Sequence, residues 1–253
     1  TLAQTVSCEG VGLHSGAPVS LTLQPAAAEA GITFLRTDLD KPVSIKADAS
    51  LVGDTRLGTT LDGAEGVGIS TVEHLMAALW GMGVDNVKVM ISGPEVPIMD
   101  GSSQPFIELI ERAGLQQQQE RRVWMEITQP TQIAMGESWL EIEPYDGFVL
   151  DIAVDYDHPK IKRQQASYDF SECDFQHALA EARTFGFAHE VEMMRSMGLA
   201  RGGSLENAIV LGENSVLNPE GLRSDDEFVR HKALDCVGDL FLSGYRIKGR
   251  ITA

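Results

Sequence analysis

The chain has 253 residues, of which 43% are hydrophobic and 23% charged, and its formal net charge is −17. This ordinary composition argues against disorder, and the length suffices for one large or two small domains with a proper core. The acidic balance excludes the broad basic face that sequence-independent nucleic-acid binding needs; a nucleotide diphosphate would need a local cluster, for which Lys232, Arg230 and Arg201 are candidates.

Residues 1–52 read as strands. Val19–Leu23, Gly31–Leu35 and Val43–Ala47 alternate in polarity, and Pro25 with the Ala-rich 26–30 segment marks a turn. His14 stands in a glycine-flanked turn, where a plain loop role and a site role are both open. A helix is predicted over 70–82, stopped by Gly81 and Gly83, with Ser70 as N-cap and Glu73 completing a capping box. Strand 86–91, a Pro94–Ser103 loop and helix 104–113 follow, and the polar 116–122 stretch reads as a linker. Strands return at 123–127, 138–142 and 148–154, then a helix at 174–182 and a strand at 207–211. The stretch from about 185 to 206 is rich in Met and Gly. Met193, Met194, Met197 and Leu199 suit either core or an adaptable lipid-binding surface. A helix over 226–241 and an alternating segment over 245–253 end the chain. Each half thus runs strands, helix, strand, helix, which suggests a duplication.

Chemistry gathers on two of these helices. His231, Asp235 and Asp239 are spaced four apart, so they share one helical stripe. His–x–x–x–Asp alone is common, and a solvated face is its plainer meaning. Glu73 and His74 on the upstream helix change the balance. Two imidazoles and one carboxylate with an open fourth position form the pattern of a catalytic zinc site, and a neighbouring Glu that is not a ligand serves as base. Against this, Glu73 could simply cap its helix.

Ser70–Leu79 and His231–Leu240 together resemble the UDP-3-O-acyl-N-acetylglucosamine deacetylase family, the zinc amidases of bacterial lipid A synthesis. The likeness extends, in family order, to Gly10–Gly16, Pro94–Ser102, Ala182–Phe187, Gly202–Leu205 and Val216–Asn218, nearly the whole chain. It implies an α+β fold of two similar two-layer α/β sandwiches, residues 1–118 and 119–253, with their helices packed together between the sheets and the metal between them. It implies one Zn2+, or Fe2+, held by His74, His231 and Asp235, with Glu73 as base, Thr184 on the oxyanion and Asp239 supporting a charged histidine. It places His14 near the substrate phosphates, Tyr156 on uracil, Lys232 on the substrate's charged part, and Phe185 and Phe187 against sugar and acyl chain. Val191, Met194, Gly203 and Ser204 fall in the 185–206 insert, the family's acyl passage. The family pattern continues past Ala253 with a Gly-His segment whose His takes part in catalysis, so a chain ending there is expected to keep its metal ligands but be impaired in protonating the amine.

The implied reaction is hydrolysis of the N-acetyl group of a UDP-3-O-(3-hydroxyacyl)-N-acetylglucosamine. The rival is a nucleotide-sugar binding protein with a structural metal, which would need no base at Glu73. A zinc peptidase ranks last, because no His-Glu-x-x-His occurs. Cys8, Cys173 and Cys236 show no Cys-x-x-Cys spacing, which fits a reducing compartment. No apolar run reaches the roughly 18 residues of a spanning helix. A cytoplasmic protein with a small-molecule substrate is expected; oligomeric state is not legible, and a monomer is the working expectation.

Overall fold

The computed structural model describes residues 1–253. Its first half carries β1 (Val6–Val11), β2 (Pro18–Pro25), β3 (Ile32–Arg36), β4 (Val43–Lys46), β5 (Leu61–Asp62), β6 (Gly68–Ile69), α1 (Glu73–Gly81), β7 (Val87–Ile91) and α2 (Gln104–Ala113). The second carries β8 (Trp124–Glu126), β9 (Thr131–Met135), β10 (Ser138–Glu143), β11 (Phe148–Tyr156), β12 (Lys162–Asp169), α3 (Phe175–Ala178), β13 (Phe185–Phe187), α4 (Ala188–Ser196), β14 (Ile209–Leu211), α5 (Glu227–Phe241) and β15 (Arg246–Thr252).

Two mixed sheets result. The first runs β1-β2-β7-β3-β4 and the second β9-β10-β15-β11-β12, with β8 also paired to β15. In each, the central strand pairs antiparallel with one neighbour and parallel with the other: β7 with β2 and β3, β15 with β10 and β11. The outer pairs β1·β2, β3·β4, β9·β10 and β11·β12 are all antiparallel. In each half a helix leads directly into the central strand, α1 into β7 and α5 into β15. The duplication suggested by element order is therefore visible as shared topology, and the architecture is α+β as expected.

Side-chain alternation explains the layering. Leu23, Val89, Phe34 and Ile45 stand in register across the first sheet on its inner face, and all four are fully buried. Leu150 and Ile251 hold the equivalent place in the second sheet. A single apolar core joins both inner faces to α1 and α5. The two helices approach closely where Gly238 meets α1: a Cβ at 238 would overlap the Glu73 carbonyl. Any larger residue would force the helices apart, and with them the groups they carry.

Some expectations change. The first helix starts at Glu73, not Ser70. Ser70 instead lies beside Glu95 as an extended bridge, its N–H donating to the Pro94 carbonyl. Thr71 turns the chain through φ 57° before the helix begins. No capping box forms, because Glu73 accepts a hydrogen bond from a distant loop. The helix foreseen at 174–182 shrinks to α3, after which the chain runs toward β13. The core reading of the methionines also fails: α4 has no buried residue, and Met193 and Met197 are exposed. β1 falls within the 1–52 stretch read as strands; β9 and β12 are not singled out by pattern, because β9 is exposed along its whole length and β12 is almost entirely polar.

Candidate active site

The first turn of α1 and the middle of α5 bring three donor groups together. His74 Nε2 lies 3.5 Å and His231 Nε2 3.3 Å from the same atom, Asp235 Oδ1. The two imidazoles meet edge to face, with centroids 4.9 Å apart, and one ligand atom from each of the three residues lies within 4.8 Å of the others. Both histidines are buried. Asp235 Oδ1 is buried too, yet has no hydrogen-bond partner. An orphaned carboxylate oxygen in that position is expensive unless something else satisfies it. A tetrahedral ion with bonds of about 2.0–2.2 Å spaces its donors about 3.3–3.6 Å apart, which matches the two measured separations. The donor set therefore fits a divalent cation.

Electrostatics point the same way. Burial holds His231 down at about 3, so its imidazole is neutral. Asp235 is buried, yet His231, Lys232 and His74 outweigh that and hold its carboxyl well below the usual range. Burial pulls His74 down, but Asp235 and Glu73 carry it above its ordinary value. The Asp235 charge raises Lys232, whose Nζ donates to Asp235 Oδ2 at 2.9 Å.

Glu73 adjoins His74 but is not among the donors. Its Oε2 accepts the Thr59 N–H at 2.9 Å. Burial raises its pKa, and Asp235 adds to this. The Thr59 hydroxyl donates to Asp239 Oδ1 at 2.7 Å, so one loop residue holds both carboxylates. Asp239 reaches solvent at its rim, but the surrounding wall and the Glu73 and Asp235 charges push it up to about 7. Thr59 gave no sign in the sequence, since it sits in an aperiodic loop and acts partly through its backbone.

The remaining predicted residues fall into two groups. Tyr156, at the end of β11, stands 5.5 Å from the Phe185 ring and 6.1 Å from Phe187. Phe185 is 6.3 Å from the His231 ring, and Lys232 Nζ lies 5.4 Å over its face. These residues form a continuous wall leading to the triad. Thr184 precedes Phe185 in that wall, its N–H donating to the Gly101 carbonyl and its carbonyl accepting from Ile209.

His14 belongs to a second cluster. Its N–H and that of Ser15 both donate to buried Glu95, at 2.8 Å each, and its Nε2 pairs with the Leu57 carbonyl. The 201–203 segment leans on this loop, with Arg201 N–H donating to His14 O and Gly202 N–H to Leu13 O. Leu57 is two residues from Thr59, so one loop ties the His14 cluster to Glu73. Gly203 is half-buried beside it and Ser204 exposed. Val191 and Met194 lie half-exposed on α4, which starts directly after Phe187. Arg230 is not free to meet a phosphate, since it pairs with Asp226 and the Ala178 carbonyl. Cys236 is packing, as expected, its thiol pushed up to about 12 by burial.

Two buried imidazoles and a partly buried carboxylate, with a glutamate beside them whose pKa burial raises, make the donor pattern of metal-dependent hydrolases. The family model described as UDP-3-O-acyl N-acetylglycosamine deacetylase matches residues 1–253. UDP-3-O-acyl-N-acetylglucosamine deacetylase of Myxococcus xanthus (strain DK1622) is 52% identical over 253 residues, covering 100% of this chain and 80% of the relative. That of Pasteurella multocida (strain Pm70) is 49% identical, covering 100% and 84%, and that of Anaeromyxobacter sp. (strain Fw109-5) 51%, covering 100% and 82%. The chain belongs to the UDP-3-O-acyl N-acetylglycosamine deacetylase family.

Proposed function

We propose that this chain hydrolyses the N-acetyl group of UDP-3-O-(3-hydroxyacyl)-N-acetylglucosamine, giving acetate and UDP-3-O-(3-hydroxyacyl)-glucosamine, the committed step of lipid A biosynthesis. The observation that carries the reading is the convergence of Glu73 with the His74, His231 and Asp235 donor set on two touching helices.

His74, His231 and Asp235 hold Zn2+, with Fe2+ as the other ion this donor set admits. When bound, the ion supplies Lewis acidity and a nucleophile at neutral pH. Glu73 keeps Oε1 free of the Thr59 bond and takes the proton of the attacking water there. Its raised pKa suits that task, because a base works best when its pKa approaches the working pH. The Thr184 hydroxyl donates to the oxygen that becomes negative; one such donor is worth about 2.7–4 kcal/mol. Glu73 hands that proton on to the amine nitrogen as the C–N bond breaks, and Asp239, oriented by Thr59, stabilises positive charge on the departing amine.

The Tyr156, Phe185 and Phe187 wall receives uracil, sugar and the start of the acyl chain, and Lys232 meets the charged part of the substrate. Val191 and Met194 on α4, with Gly203 and Ser204 further along the same insert, face the acyl chain, and His14 stands on the phosphate side. The division of labour follows the two halves, 1–118 and 119–253, each giving one helix to the site. No helix is long and apolar enough to cross a membrane, and three free cysteines suit a reducing cytoplasm.

Acetate release from the UDP-sugar by zinc-loaded protein tests the reading. Stoichiometric metal and tight substrate binding without any acetate would instead establish a nucleotide-sugar binding protein.

A further inference from the structure

A buried ion pair lies one helical turn from the candidate metal site. Glu227 stands four residues before His231 on α5 and is completely buried; Arg183, between Ala182 and Thr184, is nearly so. The Glu227 carboxylate gathers four donors. Arg183 gives its backbone N–H at 3.1 Å, Nε at 2.9 Å and Nη2 at 3.2 Å. Arg223 gives its backbone N–H at 2.6 Å. Arg183 also donates from Nη1 to Glu220 and from Nη2 to the Gly221 carbonyl.

Such a pair is a poor source of stability. The desolvation of two ions offsets most of their attraction, and apolar residues of similar size often serve as well. What the forked geometry does supply is a fixed orientation. Its two neighbours in sequence give that orientation a use. The Ala182 carbonyl accepts from His231 Nδ1 at 3.0 Å, which puts the proton on Nδ1 and leaves Nε2 free toward Asp235. The Thr184 N–H donates to Gly101 O. Three successive residues are thus tied to α5, to α5 again, and to the loop before α2.

We propose that Arg183 and Glu227 are positioning residues: they clamp the 182–185 segment onto α5, so that Ala182 sets the tautomer and ring angle of His231 and Thr184 is presented at the correct height. Neither residue touches substrate or ion. The metal-affinity part of this inference stands on the donor set alone, and its turnover part rests on the deacetylase reading above.

The deciding variant replaces both charges at once, Arg183→Met with Glu227→Leu, so that no unpaired ion is left in the core. It leaves the Arg183 and Arg223 backbone N–H groups without their acceptor, so its urea midpoint should fall, while a single cooperative transition shows that it folds. Zinc affinity by chelator competition should fall by about 10–100-fold, as loss of an orienting partner does elsewhere. The visible absorption of Co2+-loaded protein should change, and kcat should fall by a similar factor with KM nearly unchanged. A folded double variant with unaltered zinc affinity, cobalt spectrum and kcat would reduce the pair to packing and overturn the proposal. Arg183→Lys guards against a folding failure, since it keeps the charge and loses only the fork. Weaker zinc binding in that variant supports the clamp, and unaltered binding overturns it. If the unaltered protein binds zinc but releases no acetate, the functional reading fails while the affinity and spectral tests of the clamp still stand.

Discussion

The two helices that meet at the site are built on opposite plans. In α1 all residues from Glu73 to Trp80 are buried, so the helix is apolar nearly all round and Glu73 and His74 are its only ionisable groups. In α5, Lys232, Asp235 and Asp239 share a stripe that is not fully buried, while Val229, Ala233, Leu234 and Val237 face the core and Phe228 packs with Ile161, Ile209 and Leu211. The reason is position. α1 lies in the core shared with the first sheet and packs against α5 and α2, whereas α5 covers β11 and β12 and keeps Lys232 and Asp239 toward solvent. A polar group tolerated in α1 must therefore be satisfied inside the protein, but one in α5 need only line the cavity. This contrast makes Glu73 the more informative residue: nothing but a specific partner justifies a carboxylate at that depth.

The largest expected effects break the contrast at its chemical end. His231→Ala or Asp235→Ala removes one donor from a set with none to spare. Stoichiometric metal should be lost on dialysis, and acetate release should fall to background; retained metal would contradict the ligand set. Glu73→Ala should act differently. It should keep the metal and slow turnover by about 10²–10⁴, and near-normal turnover would remove Glu73 as base.

Next comes the packing of the first half. Phe34 is fully buried, in register with Val89 and Ile45. Phe34→Ala should destabilise the chain by about 3–5 kcal/mol, read from urea midpoints. A loss below about 1 kcal/mol would mean that the inner face is not tightly packed.

Why some of this was legible in sequence and some not has a physical answer. Val19–Leu23 alternates because one face of β2 is buried and the other wet, so the strand announces itself. Residues 226–241 carry helical spacing because α5 is half exposed. α1 has little such pattern, and its start was misplaced because Ser70 and Glu73 look like a capping box while their side chains serve other partners. The His74, His231 and Asp235 donor set came from spacing and family likeness together. Thr59, Glu95 and the Ala182 carbonyl could not be assigned from spacing, since each acts on groups far away in sequence, two of them through backbone atoms. Long-range closure is a property of the fold, not of any local pattern.

A smaller effect sharpens the electrostatic side. Asp239 titrates near 3.8 when unfolded and at about 7 in the metal-free fold. Between those values the folded state binds the extra proton. Stability of the metal-free protein should therefore fall as pH rises through that window, with Glu73 acting in the same direction. Asp239→Asn should flatten the slope. Solvent at the rim of Asp239 screens the effect and keeps it modest. A steeper or unchanged slope, followed by urea midpoints across the window, would assign the proton elsewhere.

The smallest expected effect compares the two sheets directly. Ile133 pairs with Leu140, one step along β9 and β10 from the Thr131–Ile142–Ile251 row that leads into the second core. It corresponds by topology to a β1 position in the first sheet, yet it is 65% exposed. Little apolar area leaves water at that site on folding, so little transfer energy is at stake. Ile133→Ala in the 253-residue chain should therefore change stability by no more than about 0.5 kcal/mol. Set against Phe34→Ala, the ratio of the two losses measures how unequally one topology is packed in its two occurrences. A loss of about 2 kcal/mol or more at Ile133 would show that this edge of the second sheet is covered in solution, and the asymmetry between the halves would disappear.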